Sequence, residues 1–340
     1  MYCVAIGDVF ITKEMMQKSI EKYNDMIDEA NYFFFGTLNR KEMRDVVKTL
    51  EAGGRDCFEL PEELLKEIER AEILMVHLCP ITEKVLQRAK RLKYILCNRG
   101  GIENIDVEAA AIKNIAVFNN PAHNANAVAE FTIGLMLCET RNIARSYFGI
   151  KRGEWREKYP NSNTIIEMKD LTIGIIGFGN VGKLVCEKLM GFQCQILVSH
   201  LSIPDTSSPR IDWNRVHFVE LDELLEKSDI VSLHARTAKK NIILGAQEFE
   251  RMKPTSYFIN TSRSYMVDYK ALYQALLKQE IRGAAIDVFE VEPLKSSEPL
   301  VALDNVTLTN HKGGDTLNAY ADSPEMMLSD LKKYISEEKK

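Results

Sequence analysis

The chain has 340 residues, 45% of them hydrophobic and 27% charged. That composition belongs to a folded globular protein of about two domains and excludes a disordered or collagen-like chain. Lysine and arginine total 44 against 49 aspartates and glutamates, a net charge of −5 that argues against a dedicated nucleic-acid binder with a basic face.

The opening residues MYCVAIGDVF lack a basic segment followed by an apolar core and a small-residue cleavage site, so no secretory signal is read there. The longest strongly apolar stretch, around residues 131–138, is too short to span a bilayer. The 7 cysteines are odd in number and none has CxxC spacing. Buried reduced thiols are expected rather than disulfides or zinc, in a cytoplasmic protein with no metal and no membrane partner.

In chain order, short buried strands are predicted at residues 4–6, 32–35, 73–78, 94–97 and 116–118. Helical stretches at 14–27, 40–50, 61–70 and 107–113 separate them. A long helix is predicted over 124–151, followed by a polar loop over 153–169. A second series places strands at 172–176, 195–199, 216–219, 230–233, 257–260, 283–287 and 306–309, with a closing helix over 317–335. Strands alternating with helices imply parallel βαβ units, hence an α/β fold of two Rossmann-like parallel-sheet domains.

Residues 172–182 read TIGIIGFGNVG. A strand runs directly into Gly177, Phe178, Gly179, Asn180, Val181 and Gly182, and a helix follows. In that context the GxGxxG pattern reads as a dinucleotide fingerprint. Gly177 makes the tight turn, Gly179 lets a pyrophosphate approach the backbone, and Gly182 allows close helix packing. The end of the next strand usually carries an acid for the ribose hydroxyls. Here it reads Val198-Ser199-His200-Leu201-Ser202, with His200 about where the acid should be. Nothing there repels a 2′-phosphate, and Arg210 is a residue that could fold back toward one, so NAD and NADP both stay open.

Three further strand ends carry charge: Asn260-Thr261-Ser262-Arg263, Asp287 through Glu292-Pro293, and Asn310-His311-Lys312-Gly313-Gly314. Charged groups at the carboxyl ends of parallel strands lie where an open α/β sheet binds its ligand. A histidine titrates near working pH and suits proton transfer to or from a secondary alcohol. A glutamate paired with it would orient the ring. An arginine fork matches a carboxylate.

At these segments the chain resembles the D-isomer-specific 2-hydroxyacid dehydrogenases. The resemblance extends to GFGNVG, to Asn98-Arg99-Gly100-Gly101 through Asn104-Ile105-Asp106, to Asn126-Ala127-Val128-Ala129-Glu130 and to LHARTAKK from Leu233. It implies that Arg263 binds the substrate carboxylate, that Glu292 pairs with His311, and that His311 is the acid/base. It further implies that Arg99, Gly100 and Gly101 hold substrate through the loop backbone. His234, Ala235, Thr237, Thr261, Ser262, Asp287 and Gly313 match positions that line the cofactor. Asp287 would accept from the nicotinamide carboxamide, or alternatively cap a loop.

The expected domains are a discontinuous, flavodoxin-like substrate domain of residues 1–119 plus 311–340 and an NAD(P)-binding domain of 120–310, with a cleft between them. A homodimer is expected, with the helix after Pro121 as its contact. The chain departs from common family forms at Ser264, Asn310 and Lys312, which weakens transfer of substrate identity more than of reaction type. The expected function is hydride transfer between nicotinamide and a D-2-hydroxy acid or 2-oxo acid. The alternatives are a non-catalytic NAD(H)-sensing protein of the same fold and a different Rossmann enzyme that does not need His311.

Overall fold

The structure is a computed structural model that describes residues 1–202, 206–236 and 241–338. The chain divides into two compact units, Met1–Asn124 with Thr316–Lys340, and Ala125–Asp315. The division falls a few residues beyond the expected crossings, so His311 belongs to the second unit.

The first unit holds five parallel strands, β1 (Tyr2–Gly7), β2 (Glu29–Phe34), β3 (Ile73–Val76), β4 (Tyr94–Cys97) and β5 (Ala116–Asn119), in the order β2-β1-β3-β4-β5. Their side chains alternate between two layers. Val4, Ile6, Leu74, Val76 and Ile95 pack on one face with Leu64 and Ile68 of the helix Glu62–Arg70. Cys3, Ala5, Ile73, Met75 and Leu96 face the other way, against Met16, Met327, Leu328 and Leu331. Those last three come from the helix Ser323–Glu338, which is why the C-terminal segment belongs to this unit.

The second unit holds seven parallel strands: β6 (Thr172–Ile176), β7 (Gln195–Ser199), β8 (Val216–Phe218), β9 (Ile230–Leu233), β10 (Tyr257–Asn260), β11 (Gly283–Ile286) and β12 (Val306–Leu308). Their order is β12-β11-β10-β9-β6-β7-β8, a doubly wound arrangement whose winding reverses between β6 and β9. Ile173, Ile175, Ile196 and Val198 face the helices Ala125–Arg141 and Asn180–Leu189, and Val231, Leu233, Phe258 and Ile286 face Leu224, Phe249, Leu272 and Leu276. With both faces covered, the central strands β6, β9, β10 and β11 are mostly apolar and buried, as parallel sheets require, while the edge strand β8 carries exposed His217 and Phe218. The two-domain Rossmann-like fold expected from the sequence is present.

The expected single helix over 124–151 is two, Ala125–Arg141 and Ile143–Lys151. Asn142 breaks it with φ 56°, a left-handed conformation that asparagine tolerates. Buried Asn161 stabilises the break. It accepts from Asn142 Nδ2 at 2.7 Å, and its own amide lies within hydrogen-bond reach of the terminal carbonyls of Glu139 and Thr140 at 3.3 and 3.4 Å. The closing helix is likewise split, into Leu317–Ala321 and Ser323–Glu338. All seven cysteines are free, but Cys57 is exposed and not buried as most of the others are. Among the described residues no helix is long and apolar enough to cross a membrane, and no acid, histidine and cysteine cluster is arranged to hold a metal ion.

Candidate active site

β6 ends at Ile176, and the turn that follows admits nothing but glycine at Gly177. Its φ is 91°, and a Cβ there would lie 2.5 Å from the Ala235 amide nitrogen. A Cβ on Gly182 would strike the Gly177 carbonyl at 2.1 Å, whereas a Cβ on Gly179 would meet nothing within 4 Å. The turn is therefore packed tight on the protein side and open above Gly179. The helix Asn180–Leu189 begins there with no side-chain cap. Its first amide groups and the positive end of its dipole are free for an anion, which is the arrangement a pyrophosphate needs.

Asn180 and Val181 open that helix. Phe178 turns its ring inward, packing against Trp213 and Phe218, and gives its N–H to Nδ1 of His200 at 3.2 Å. His200 stands exposed just beyond β7. Arg210 does not fold back toward it: its nearest charge partner is Glu187, 3.8 Å away on the glycine-turn helix.

Around the turn, the strand-end loops interlock. Ser262 Oγ donates to the Ala235 carbonyl at 2.9 Å, and Thr261 shares a 2.8 Å hydroxyl contact with Thr132 of the helix Ala125–Arg141. His234 is buried, with Nε2 2.8 Å from Ser232 Oγ and Nδ1 without a partner among the described residues. Burial pushes its pKa down to about 3, so it is neutral at ordinary pH. Thr237 lies outside the described residues.

Neighbouring strands β10, β11 and β12 bring Arg263, Glu292 and His311 to one edge of the sheet. The His311 Nδ1–H donates to Glu292, 2.9 Å from Oε2 and 3.1 Å from Oε1. Glu292 Oε1 also accepts the Phe289 N–H at 3.0 Å, which fixes the carboxylate on its own loop. His311 has φ 54°, a left-handed backbone that costs a non-glycine residue energy and gathers at functional sites. Arg263 is exposed, and its guanidinium donates to the Ser262 carbonyl at 2.9 Å. No direct contact joins it to His311 or Glu292 among the described residues.

Asp287 explains how the histidine loop is held. Its carboxylate is 1% exposed. Oδ1 accepts from Thr309 Oγ1 at 2.6 Å and from the Lys312 N–H at 2.9 Å, while Oδ2 accepts the Gly313 N–H at 2.9 Å. Three of its acceptor positions thus brace the segment on both sides of His311, matching the loop-capping alternative read from the sequence. Lys312 pairs with Asp315, not with Glu292. Which groups Asp287 would hold was not readable from residue types, because two of its three donors are backbone amides.

In the first unit, Arg99, Gly100 and Gly101 follow β4. Arg99 pairs with Glu51 at 3.1 Å and Glu103 at 3.6 Å, and Asn119 Nδ2 donates to the Gly100 carbonyl at 2.7 Å. The thiols of Cys3, Cys97 and Cys186 are pushed up to about 12 by burial and are not nucleophiles at neutral pH.

The family model for the D-isomer specific 2-hydroxyacid dehydrogenase NAD binding domain matches residues 133–313. The chain is 35% identical over 301 residues to a hydroxypyruvate reductase of Thermotoga maritima, covering 87% of this chain and 92% of that protein. It is 37% identical over 276 residues to a D-3-phosphoglycerate dehydrogenase of Methanocaldococcus jannaschii, covering 81% of this chain and only 52% of that longer protein. Among solved structures, the NAD-complexed D-isomer specific 2-hydroxyacid dehydrogenase of Lactobacillus delbrueckii ssp. bulgaricus shares the fold, with TM-score 0.75, 21% identity and coverage of 99% and 97%. An acyclic imino acid reductase solved with NADPH and D-Arg matches at TM-score 0.68 and 26% identity, over 99% and 98%.

Proposed function

The chain belongs to the D-isomer-specific 2-hydroxyacid dehydrogenase family of nicotinamide-dependent oxidoreductases, and we propose that it interconverts a small D-2-hydroxy acid and its 2-oxo acid with His311 as acid/base. The observation that carries this reading is the His311–Glu292 hydrogen bond at 2.9 Å. A bound nicotinamide supplies the hydride. With Nδ1–H committed to Glu292, the ring is oriented and Nε2 is left to exchange the proton of the substrate oxygen. In reduction the imidazolium Nε2–H protonates the forming alkoxide, and in oxidation the bare Nε2 removes the hydroxyl proton. Arg263 binds the substrate carboxylate and polarises the adjacent carbonyl. Arg99, Gly100 and Gly101 are assigned to substrate binding through the loop backbone. Asp287 keeps the His311 loop in place and, through its remaining acceptor capacity, receives the nicotinamide carboxamide.

The open face of Gly179 and the free amides of Asn180, Val181 and Gly182 would hold a dinucleotide's pyrophosphate. His234, Ala235, Thr261, Ser262 and Gly313 would line the rest. His200 reads the 2′ position of the ribose. Because its Nδ1 accepts the Phe178 N–H, the ring proton lies on Nε2, which is a donor. A donor favours a phosphate oxygen as well as a hydroxyl, where a carboxylate would repel the phosphate. NAD(H) and NADP(H) are therefore both accepted. The exposed side chains of Ile143, Tyr147, Phe148 and Ile150 support a homodimer through the helical stretch after Pro121.

The test is a panel of 2-oxo acids, phosphorylated and not, assayed with NADH and NADPH at 340 nm. Turnover with at least one acid is expected. Binding of reduced cofactor without turnover of any acid favours a sensor instead. In direct binding, His200→Asp is expected to weaken NADPH about tenfold or more and leave NADH unharmed. Equal loss of both would remove His200 from the 2′ position.

A further inference from the structure

The helix Tyr269–Leu277 is pinned at its first residue. Asp268 caps it, accepting the Lys270 and Ala271 amides at 2.9 and 3.0 Å, and gives its own N–H to the Leu244 carbonyl at 2.9 Å. A start capped in this way frays little. Tyr269 packs its ring against the core layer that holds Leu233, Phe258 and Ile286, and its hydroxyl donates to the Val288 carbonyl. Burial pushes this hydroxyl well above the ordinary tyrosine range; Asn260, as a hydrogen-bond partner, acts against the rise, and the charges of Glu290 and Glu292 add to it. The group therefore keeps its proton and stays a donor at working pH.

The carbonyl it holds belongs to the peptide that joins Val288 to Phe289. The N–H of that same peptide donates to Glu292 Oε1 at 3.0 Å. Glu292 in turn accepts the His311 Nδ1–H, 2.9 Å from Oε2. Tyrosine and peptide thus hand one hydrogen bond on to the next, and they end on the carboxylate that orients the imidazole. A peptide is planar and rigid, so holding its carbonyl also holds its N–H. A donor on the carbonyl polarises the amide and strengthens the N–H as a donor. Val288 and Phe289 are both buried, so a carbonyl deprived of the hydroxyl would be left unmatched, and the peptide would be drawn to rotate.

We propose that Tyr269 is a positioning residue for the acid/base: acting through the Val288–Phe289 peptide, it holds the Glu292 carboxylate against His311. The inference rests on the reading of His311 as acid/base, and every residue in it belongs to the second unit.

The test uses the full chain with 15N-labelled phenylalanine and histidine. The Phe289 amide is identified by its loss in Phe289→Leu, and the His311 ring by its loss in His311→Asn. Tyr269→Phe keeps the ring and deletes the donor. The Phe289 amide proton should move upfield and the His311 ring nitrogens should shift with it. Tyr273→Phe, one turn along the same helix, should move neither. Replacing Tyr269 by 3-fluorotyrosine keeps the hydroxyl and makes it a stronger donor, so the Phe289 proton should move downfield. This protein also serves if Tyr269→Phe does not fold. A side chain that only fills space would not produce shifts of opposite sign.

In steady-state kinetics Tyr269→Phe should lower kcat about fivefold and leave KM within about twofold, and it should cause no further loss of kcat in Glu292→Gln. If wild-type protein reduces no 2-oxo acid, the hydride-transfer reading falls while the resonances still decide whether Tyr269 holds the pair. A His311 ring unmoved in folded Tyr269→Phe, Phe289 shifts of the same sign in both altered proteins, or a loss of kcat that persists undiminished in Glu292→Gln overturns the proposal.

Discussion

The two imidazole–carboxylate pairs are alike in chemistry and opposite in setting. Each lies at the carboxyl ends of parallel strands, one in each unit, with Nδ1 donating at 2.9 Å in His311–Glu292 and 2.8 Å in His77–Asp8. The side chains of the first pair are 50% and 37% exposed, and those of the second 8% and 1%. An accessible ring can exchange a proton with substrate and then with water. A buried ring recharges poorly and is better suited to one fixed hydrogen bond. A histidine next to a carboxylate therefore does not mark a proton-transfer catalyst by itself. Access, and a backbone held in an unfavourable conformation by Asp287, distinguish His311.

The comparison is sharpest when the same substitution is made in both places. His311→Asn keeps a donor toward Glu292 and removes Nε2, so turnover should fall about 1,000-fold with cofactor binding preserved, as loss of an acid/base predicts. His77→Asn should leave kcat within a few-fold of wild type, because that buried ring is committed to Asp8. Equal losses in kcat from both would break the distinction. Next in size, Arg263→Ala should lower kcat/KM about 100-fold, with Arg263→Lys in between because a point charge lacks the fork. Steady-state kinetics decides, and unchanged turnover would remove Arg263 from the site. A smaller effect follows from Asp287→Asn, which sets an amide against Thr309, Lys312 and Gly313 donors. About a tenfold loss of kcat is expected, with about 1–3 kcal/mol of stability lost in urea titration. If kcat holds while stability drops, the bracing is structural only.

The smallest effect concerns a third histidine, His234, whose folded pKa of about 3 lies below the ordinary 6.5 because of burial. The unfolded chain takes up this proton and the folded chain refuses it. The stability it contributes is complete above pH 6.5 and is lost as pH falls toward 3. Proton uptake on unfolding near pH 5 should be smaller by about one in His234→Gln than in wild type. Equal uptake would contradict the burial of a neutral ring.

Much of this was legible in the sequence where the signal is local. The glycine turn is a case: strand, turn and helix are contiguous, and the conformational demand at Gly177 shows in residue type alone. The His311–Glu292 contact was legible through motif order, since neighbouring strand ends in a doubly wound sheet come together by topology, whereas Arg263, after the next strand, touches neither of them among the described residues. What stayed hidden is non-local. The helix break at Asn142 depends on Asn161, which reaches back across a loop to satisfy terminal carbonyls. Loop capping by Asp287 was one of two readings of that residue, but its donors stayed hidden, since two of the three are backbone amides of a loop 25 and 26 positions away. Asp8 and His77 are separated by 69 positions, and only the register of β1 beside β3 makes them neighbours.

Hydride transfer itself can be followed with the wild-type protein, a 2-oxo acid from the panel and nicotinamide cofactor reduced with deuterium at C4. The prediction is a D-2-hydroxy acid carrying deuterium at C2, formed in step with loss of absorbance at 340 nm. Cofactor that stays reduced and deuterated with every acid tried, while binding normally, would contradict it.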